Sequence, residues 1–111
     1  MRDTPAILSQ PAITALCTEH APWQPENAGA LAAAYTFASF ADALDFVVRV
    51  GVLAEELQHH PLITIEHTNV TLRTTTHEAG DQLTERDADL VRGVVPIAQA
   101  FSADVARRTG E

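Results

Sequence analysis

The sequence has little cysteine, little positive charge and no long hydrophobic run. Cys17 is the only cysteine among 111 residues, so an internal disulfide and a cysteine-based metal cluster are both excluded, and a reducing compartment is expected. Seven basic residues stand against 15 acidic ones, giving a formal net charge of −8. Such a surface repels phosphate backbones and anionic membranes, so nucleic acid is not expected as a direct partner.

Neither a membrane span nor a secretion signal is expected. The most apolar later segment, "FVVRVGVLAEEL", is interrupted by Arg49 and is too short to cross a bilayer. Near the amino terminus, Asp3, Pro5 and Pro11 break any apolar run that could act as a signal peptide. With 46% hydrophobic residues, the chain is expected to form one soluble, cytoplasmic domain with no membrane partner.

Helical periodicity is clearest after Ser39. Ser39 and Asp42 resemble a capping box, and apolar residues then recur at helical spacing as far as Leu57. Three further apolar residues widen this face beyond what one sheet needs, namely Phe46, Val50 and Leu53. The helix is therefore also expected to touch a partner subunit. Gly51 within it predicts close packing at that point.

The other patterns predict an α+β fold. Residues 5–18 are expected to form a short helix, and "GALAAAYTF" a strand. After Pro61 the apolar residues alternate, which predicts two strands separated by a tight turn or bulge in "EHTN". Thr84 and Asp87 mark another capped helix, which Pro96 should end or kink before a further helical segment. This order predicts helices laid on a small antiparallel sheet.

Four of the five histidines lie in one stretch, "EELQHHPLITIEHTNVTLRTTTHEAG". Glu55 precedes His59 by four residues at a helix end, so its carboxylate can hold the imidazole, and His59 is expected to act as an acid near neutral pH. Pro61 should force His60 into an extended conformation. Two adjacent strands can return His77 to the same place, which predicts a proton-transfer site that needs no metal or cofactor.

Two other interpretations of these histidines remain open: that they have no functional role, or that they bind zinc. A histidine such as His20 is more often solvated or satisfied by one hydrogen bond than functional. A zinc site built from His59 or His60 with His67 and His77 is chemically possible, although no HExxH motif or cysteine pair supports it.

The segments "EELQHHP", "TTTH" and "LTERD" resemble the pterin-4a-carbinolamine dehydratases. The pattern of that family is a glutamate four residues before His-His-Pro, a Thr-His at a strand end and a Leu-Thr-x-x-Asp helix start. The matching positions here are Glu55, His59, His60, Pro61, His77 and Asp87. The sequence departs from the pattern beside the pocket. Leu62 replaces an acidic residue, and His67-Thr68 replaces the usual Tyr-Asn pair. The "EAGDQLT" loop is one residue longer and has Gln82 where the family has a glycine.

The resemblance implies a small four-stranded antiparallel sheet with helices packed on one face. It implies a single domain over 1–111, with a core of about 23–95 and an extra helical segment of about 96–108. The resemblance also implies a homodimer or homotetramer. The implied reaction removes water from a 4a-hydroxytetrahydropterin to give the quinonoid dihydropterin, as in tetrahydrobiopterin recycling.

The resemblance also implies roles for individual residues. His59 and His77 would transfer protons, and His60 would orient the pterin and share the acid role. Glu55 would set the charge of His59, and the pocket would be supported by Pro61, His67 and Asp87. An alternative is a catalytically silent relative that acts as a protein-binding or assembly-factor module. The altered pocket residues favour that alternative, whereas the three retained histidines favour the enzyme.

Overall fold

The computed structural model describes residues 5–26 and 29–109. Its helices are α1 (Gln10–Glu19), α2 (Phe40–Leu57) and α3 (Glu85–Thr109), with a short 3-10 helix at His77–Ala79. Its strands are β1 (Gln24–Glu26), β2 (Ala30–Thr36), β3 (Leu62–Glu66) and β4 (Asn69–Thr74). They form one antiparallel sheet in the order β1-β2-β4-β3, which confirms the α+β class with a four-stranded sheet.

The inner face of the sheet is formed by alternate residues of β2 and β4. Leu31 lies opposite Thr74, and Ala33 lies opposite Leu72, and all four are buried. Because side chains alternate between the faces of a strand, these residues share one face with each other. They join the hydrophobic core with residues of α2 and α3, including Phe46, Val50, Val91 and Val94.

The helix α2 begins where the sequence predicts but ends before His59, which was expected to lie in its last turn. The Ser39 hydroxyl accepts a hydrogen bond from the Asp42 backbone N–H at 3.0 Å, which satisfies a free donor of the first turn. The helix ends at Leu57, and Gln58 follows in the left-handed conformation with φ of 53°. Pro61 then leads into β3, so the chain reverses direction within a few residues.

The prediction of which α2 residues face a partner was wrong. Phe46 and Val50 are 0% exposed and belong to the core of this chain. The exposed large apolar residues of α2 lie on its other side and recur every four residues: Phe40, Leu44, Val48 and Val52. These four residues are called the α2 stripe below.

The helices α2 and α3 pack tightly at Gly93, whereas the close packing expected at Gly51 is not observed. A Cβ atom at Gly93 would lie 2.7 Å from Leu53 Cδ2, which is closer than real contacts allow. In the described part of the chain, a Cβ atom at Gly51 would meet no atom within 4 Å apart from its chain neighbours and the backbone of its own helix. Beyond this crossing, α3 continues through Pro96, so the segment that follows Pro96 is not a separate helix.

The amino-terminal helix starts later than predicted. Ser9 caps α1 by accepting the Ala12 backbone N–H at 3.2 Å. The residues before it are extended and bind the chain ahead of α3: the Leu8 N–H donates to the Leu83 carbonyl at 2.9 Å. The periodicity of this region misled the prediction because Ile7 and Leu8 belong to the extended segment and not to the helix.

The short strand β1 was not predicted from the residues themselves. It contains Pro25, which has no backbone N–H to donate and is tolerated in a strand only at a sheet edge. The structure places β1 at such an edge, paired only with β2 among the described strands. Within the same residues, none of the helices combines the length and hydrophobicity that crossing a bilayer requires.

Tyr35 provides a test of the core, because it is the only tyrosine. Burial raises the pKa of Tyr35 from 10.0 to about 12. The folded state therefore retains this proton while the unfolded chain loses it, so the free energy of unfolding should fall as the pH rises from about 10 to about 12. We expect an absorbance titration to give a tyrosinate midpoint near 12 in the native protein and near 10 in denaturant. A native midpoint near 10 would contradict the packing described here.

Candidate active site

Three histidines lie at the same end of the sheet. His59 and His60 come just before β3, and His77 comes just after β4. The two strands are antiparallel, with Leu62 at the start of β3 opposite Arg73 near the end of β4. The start of one strand is therefore next to the end of the other. The structure brings His59, His60 and His77 to one region, although their environments differ.

His59 is held in the interior. It is 7% exposed, and its backbone N–H donates to the Ala54 carbonyl at 3.0 Å, which anchors it to the end of α2. Its Nε2 atom lies 2.7 Å from Asp87 Oδ1 and 3.2 Å from the Thr74 hydroxyl. The carboxylate beside His59 is therefore that of Asp87 and not, as the sequence predicted, that of Glu55.

Asp87 is fully buried, and its carboxylate oxygens accept several hydrogen bonds. The hydroxyl groups of Thr74 and Thr76 each donate at 2.6 Å, and the Thr84 backbone N–H donates at 2.9 Å. A buried carboxylate needs such donors because it has lost its contacts with water. Asp87 thus caps α3, as predicted, and also supports His59.

Sequence reasoning missed Thr74 and Thr76 as parts of this site. Both lie in "TTTH", where Thr76 was noted only as the first residue of the Thr-His pair and neither threonine was given a role. The available signal was the alternation of β4: Val70, Leu72 and Thr74 have the same parity, so a threonine ends the apolar face. A hydroxyl group on an inward-facing position requires a buried partner, which indicates a polar cluster.

His60 is exposed and pairs with Glu55. Its Nε2 atom lies 2.6 Å from Glu55 Oε2, and both side chains are more than half exposed. The expected pairing of Glu55 with His59 required a continuous helix, whereas the helix ends at Leu57 and Gln58 adopts a left-handed conformation. Residues four apart are neighbours only while a helix continues. Because the chain turns at Gln58, the neighbour of Glu55 is His60, five residues later.

His77 lies at the start of the 3-10 helix, and its side chain is 83% exposed. Its Nδ1 atom lies 2.6 Å from Asp81 Oδ1. Together with Arg73 and Thr75, these two residues line a cavity of about 450 Å³. Asp81 was not identified from the sequence because its spacing of four residues from His77 suggests contact only in a helix, and none was predicted there.

The structure does not bring His67 to the other histidines. It occupies the turn between β3 and β4, with φ of 56°, and is exposed. The turn lies at the opposite end of the hairpin, roughly 15 Å away at the usual rise per strand residue. Among the described side chains, no three metal-binding residues come close enough to hold an ion. His20 binds the Leu16 carbonyl at 2.8 Å and lies outside the site.

Each of the three clustered histidines has its own carboxylate partner. The pairs are His59 with Asp87, His60 with Glu55, and His77 with Asp81. In each pair the carboxylate contacts one ring nitrogen, so the other ring nitrogen can meet a ligand. Imidazole groups gain and lose protons near neutral pH, so this arrangement can donate one proton and accept another.

Comparisons with known proteins point to one family. The family described as "Pterin 4 alpha carbinolamine dehydratase" matches residues 6–94. A Thermomicrobium roseum protein that carries the provisional name pterin-4-alpha-carbinolamine dehydratase is 44% identical, over 84% of this chain and 98% of its own. An Opitutus terrae protein with the same provisional name is 40% identical, over 79% of this chain and 90% of its own.

A solved structure agrees with the sequence comparisons. The crystal structure titled "transcriptional coactivator/pterin dehydratase" from Brucella melitensis is similar, with a TM-score of 0.77 and 25% identity. The alignment covers 83% of this chain and 98% of that one. The similarity therefore extends over nearly the whole of the Brucella protein.

Proposed function

The chain belongs to the pterin-4a-carbinolamine dehydratase family, and on that premise we propose that it removes water from a 4a-hydroxytetrahydropterin to give the quinonoid dihydropterin. The observation that carries the proposal is the group of three histidines at one end of the sheet, each beside a carboxylate. The product would then be available for reduction, as in tetrahydrobiopterin recycling.

The reaction needs one proton donor and one proton acceptor. The C4a–O bond breaks, and the leaving oxygen takes up a proton and departs as water. A base removes the proton from the adjacent ring nitrogen, whose electron pair then forms the carbon–nitrogen double bond. Two imidazole groups on different sides of the pterin can perform both transfers, and general acid–base catalysis of this kind contributes about 10²- to 10⁴-fold in rate.

The proposed catalytic residues are His59, His60 and His77. His59 and His77 exchange protons with the substrate, while His60 orients the pterin and shares the acid role. Glu55 supports His60, because these two side chains are paired at 2.6 Å. Asp87 supports His59 from the interior, and Pro61 directs the chain into β3. His67 is not assigned a role, since it lies at the far end of the hairpin.

The test is a direct rate measurement. Freshly generated 4a-hydroxytetrahydropterin is mixed with the purified protein, and formation of the quinonoid dihydropterin is followed against buffer and against an unrelated protein of similar charge. The proposal predicts acceleration in proportion to the concentration of this protein. A rate equal to that in buffer would reject the dehydratase and would favour the second candidate function, a protein-binding module.

The α2 stripe favours a contact with another protein chain, whether the protein is a dehydratase or a protein-binding module. Its four residues are spaced by four and extend over about 18 Å of helix at 1.5 Å per residue. An exposed apolar row of this length is typical of an interface. We propose that it packs against a second copy of this chain and so supports a homodimer or homotetramer.

Charges placed on the α2 stripe should dissociate the oligomer. The double variant Leu44→Glu/Val48→Glu puts two carboxylates into the proposed contact, where each would be buried without a partner. Light scattering during size-exclusion chromatography should show a fall in molecular mass, with an unchanged circular dichroism spectrum. Ala12→Glu/Ala15→Glu adds the same charge on exposed positions of α1 and should leave the mass unchanged. If the two double variants have the same mass as the parent, the stripe is not the contact.

A further inference from the structure

The hydrogen atoms of the buried threonines determine the direction of each hydrogen bond around Asp87. A threonine hydroxyl has one hydrogen to donate. The Thr74 hydroxyl donates it to Asp87 Oδ1 at 2.6 Å. Its contact with His59 Nε2, at 3.2 Å, must therefore be one in which the ring N–H is the donor. The proton on His59 is thus assigned to Nε2 by the geometry of its neighbours.

The second oxygen of Asp87 is held by a similar directed chain. The Thr76 hydroxyl donates to Asp87 Oδ2 at 2.6 Å. Its other contact, with the Thr84 hydroxyl at 2.7 Å, must then have Thr84 as donor. Thr84 in turn accepts the Arg86 backbone N–H at 3.2 Å. Every donor in this series of hydrogen bonds points toward the carboxylate, so the series has one consistent direction that ends at Asp87.

The other ring nitrogen of His59 is left without a protein partner. Among the described residues, none donates to or accepts from His59 Nδ1. This atom is also not sealed from solvent, in contrast to Trp23 Nε1 and the Tyr35 hydroxyl. With Nε2 carrying the proton of the neutral ring, Nδ1 presents a lone pair and can accept a proton from a ligand.

We propose that Thr74 and Thr76 are positioning residues, which orient the Asp87 carboxylate so that neutral His59 keeps its proton on Nε2 and offers Nδ1 to the substrate as the base. This proposal rests on the proposed function, because the substrate that His59 would deprotonate is the 4a-hydroxytetrahydropterin. It assigns the base to His59, in contrast to the acid role expected from the sequence. The acid role then falls to the exposed histidines, His60 and His77.

Thr76 is the more informative of the two residues, because no contact joins it to His59 directly. Its influence on the imidazole must pass through Asp87. Valine has nearly the shape of threonine but no hydroxyl group, so Thr76→Val removes one donor and leaves the packing of this buried position intact. The carboxylate can then rotate, and the Nε2–H tautomer of His59 becomes less favoured.

The first experiment is a ¹H–¹⁵N correlation spectrum of the histidine ring nitrogens, recorded with the imidazoles neutral. The His59 signals are identified by their absence from the spectrum of His59→Gln. We expect the parent protein to have protonated Nε2 and unprotonated Nδ1 at His59. A protonated Nδ1 in the parent would overturn the proposal, whatever the dehydratase activity. The predicted tautomer in a protein that does not dehydrate the pterin would support the positioning role and reject the proposed function.

The second experiment compares variants. Thr76→Val should lower kcat/KM about tenfold and should introduce a detectable fraction of the Nδ1–H tautomer at His59. Thr76→Ser keeps the donor and should restore both properties. Thr71→Val, on the exposed face of β4, is the matched control and should resemble the parent. If Thr76→Val leaves the His59 spectrum and the pH profile of kcat/KM unchanged, Thr76 does not position His59.

Discussion

Asp87→Asn is expected to lower kcat for the dehydration by about 10³-fold, because the amide no longer selects the correct tautomer of the histidine beside it. Asparagine has the shape of aspartate but replaces one acceptor oxygen with an NH₂ donor. Either His59 and Thr74 on one side, or Thr76 and Thr84 on the other, would then face a donor. Removing one member of a buried polar cluster should also lower the free energy of unfolding by about 3 kcal/mol.

The protein should nevertheless remain folded, since domains of this size have about 5–15 kcal/mol of stability. The measurements are kcat at a temperature well below the unfolding transition, and the transition itself in denaturant. Asp89→Asn is the control, because Asp89 lies two residues later on α3 and its one side-chain partner among the described residues is the exposed Arg92. A loss of stability with kcat within a few-fold of the parent would show that Asp87 is a helix cap alone.

His77→Ala is expected to lower kcat by about 10²-fold or more without a measurable change in stability. The side chain is 83% exposed and its one described polar partner is Asp81, so its removal leaves no cavity and no buried unpaired group. The loss of activity would therefore arise from the missing proton-transfer group. The measurements are kcat and the thermal unfolding midpoint of the same preparations.

The control for His77→Ala is another exposed histidine outside the cluster. His67→Asn suits this purpose, since asparagine tolerates the left-handed backbone of that turn. It should leave kcat within about twofold of the parent. Equal rates for the parent, His77→Ala and His59→Ala would reject histidine catalysis. The two substitutions also differ in a useful way, because Asp87→Asn should lower both activity and stability, whereas His77→Ala should lower activity alone.

Most of the secondary structure could be predicted from local chemistry. Ser39 caps a helix, Pro61 prevents its continuation, and the alternation after Pro61 predicts two strands with a tight turn. The prediction of strand β2 required more than residue propensities, because alanine favours helix. Its alternate residues Leu31, Ala33 and Tyr35 face the core, and that burial outweighs the preference of the alanines.

The partners of the histidines were harder to predict. The identity of the three clustered histidines followed from their spacing and from the family resemblance, and the sheet does bring them to one end. Their carboxylate partners did not follow. Glu55 was assigned to His59 on helical spacing, yet one left-handed residue, Gln58, redirects it to His60. Local spacing is a reliable guide only while the regular element continues.

The sequence by itself therefore determined the types of the main elements α2, β2, β3 and β4, the start of α2 at Ser39, and the end of the sheet where the histidines lie. These depend on interactions between residues a few positions apart. Only the tertiary structure decided that His59 is buried against Asp87, 28 residues away, and that the Asp87 carboxylate accepts hydrogen bonds from Thr74 at the end of β4 and from Thr76 just beyond it. That environment exists because α3 packs against the end of the sheet, and a hydrogen-bond partner across such a distance is selected by packing and burial, which sequence spacing does not encode.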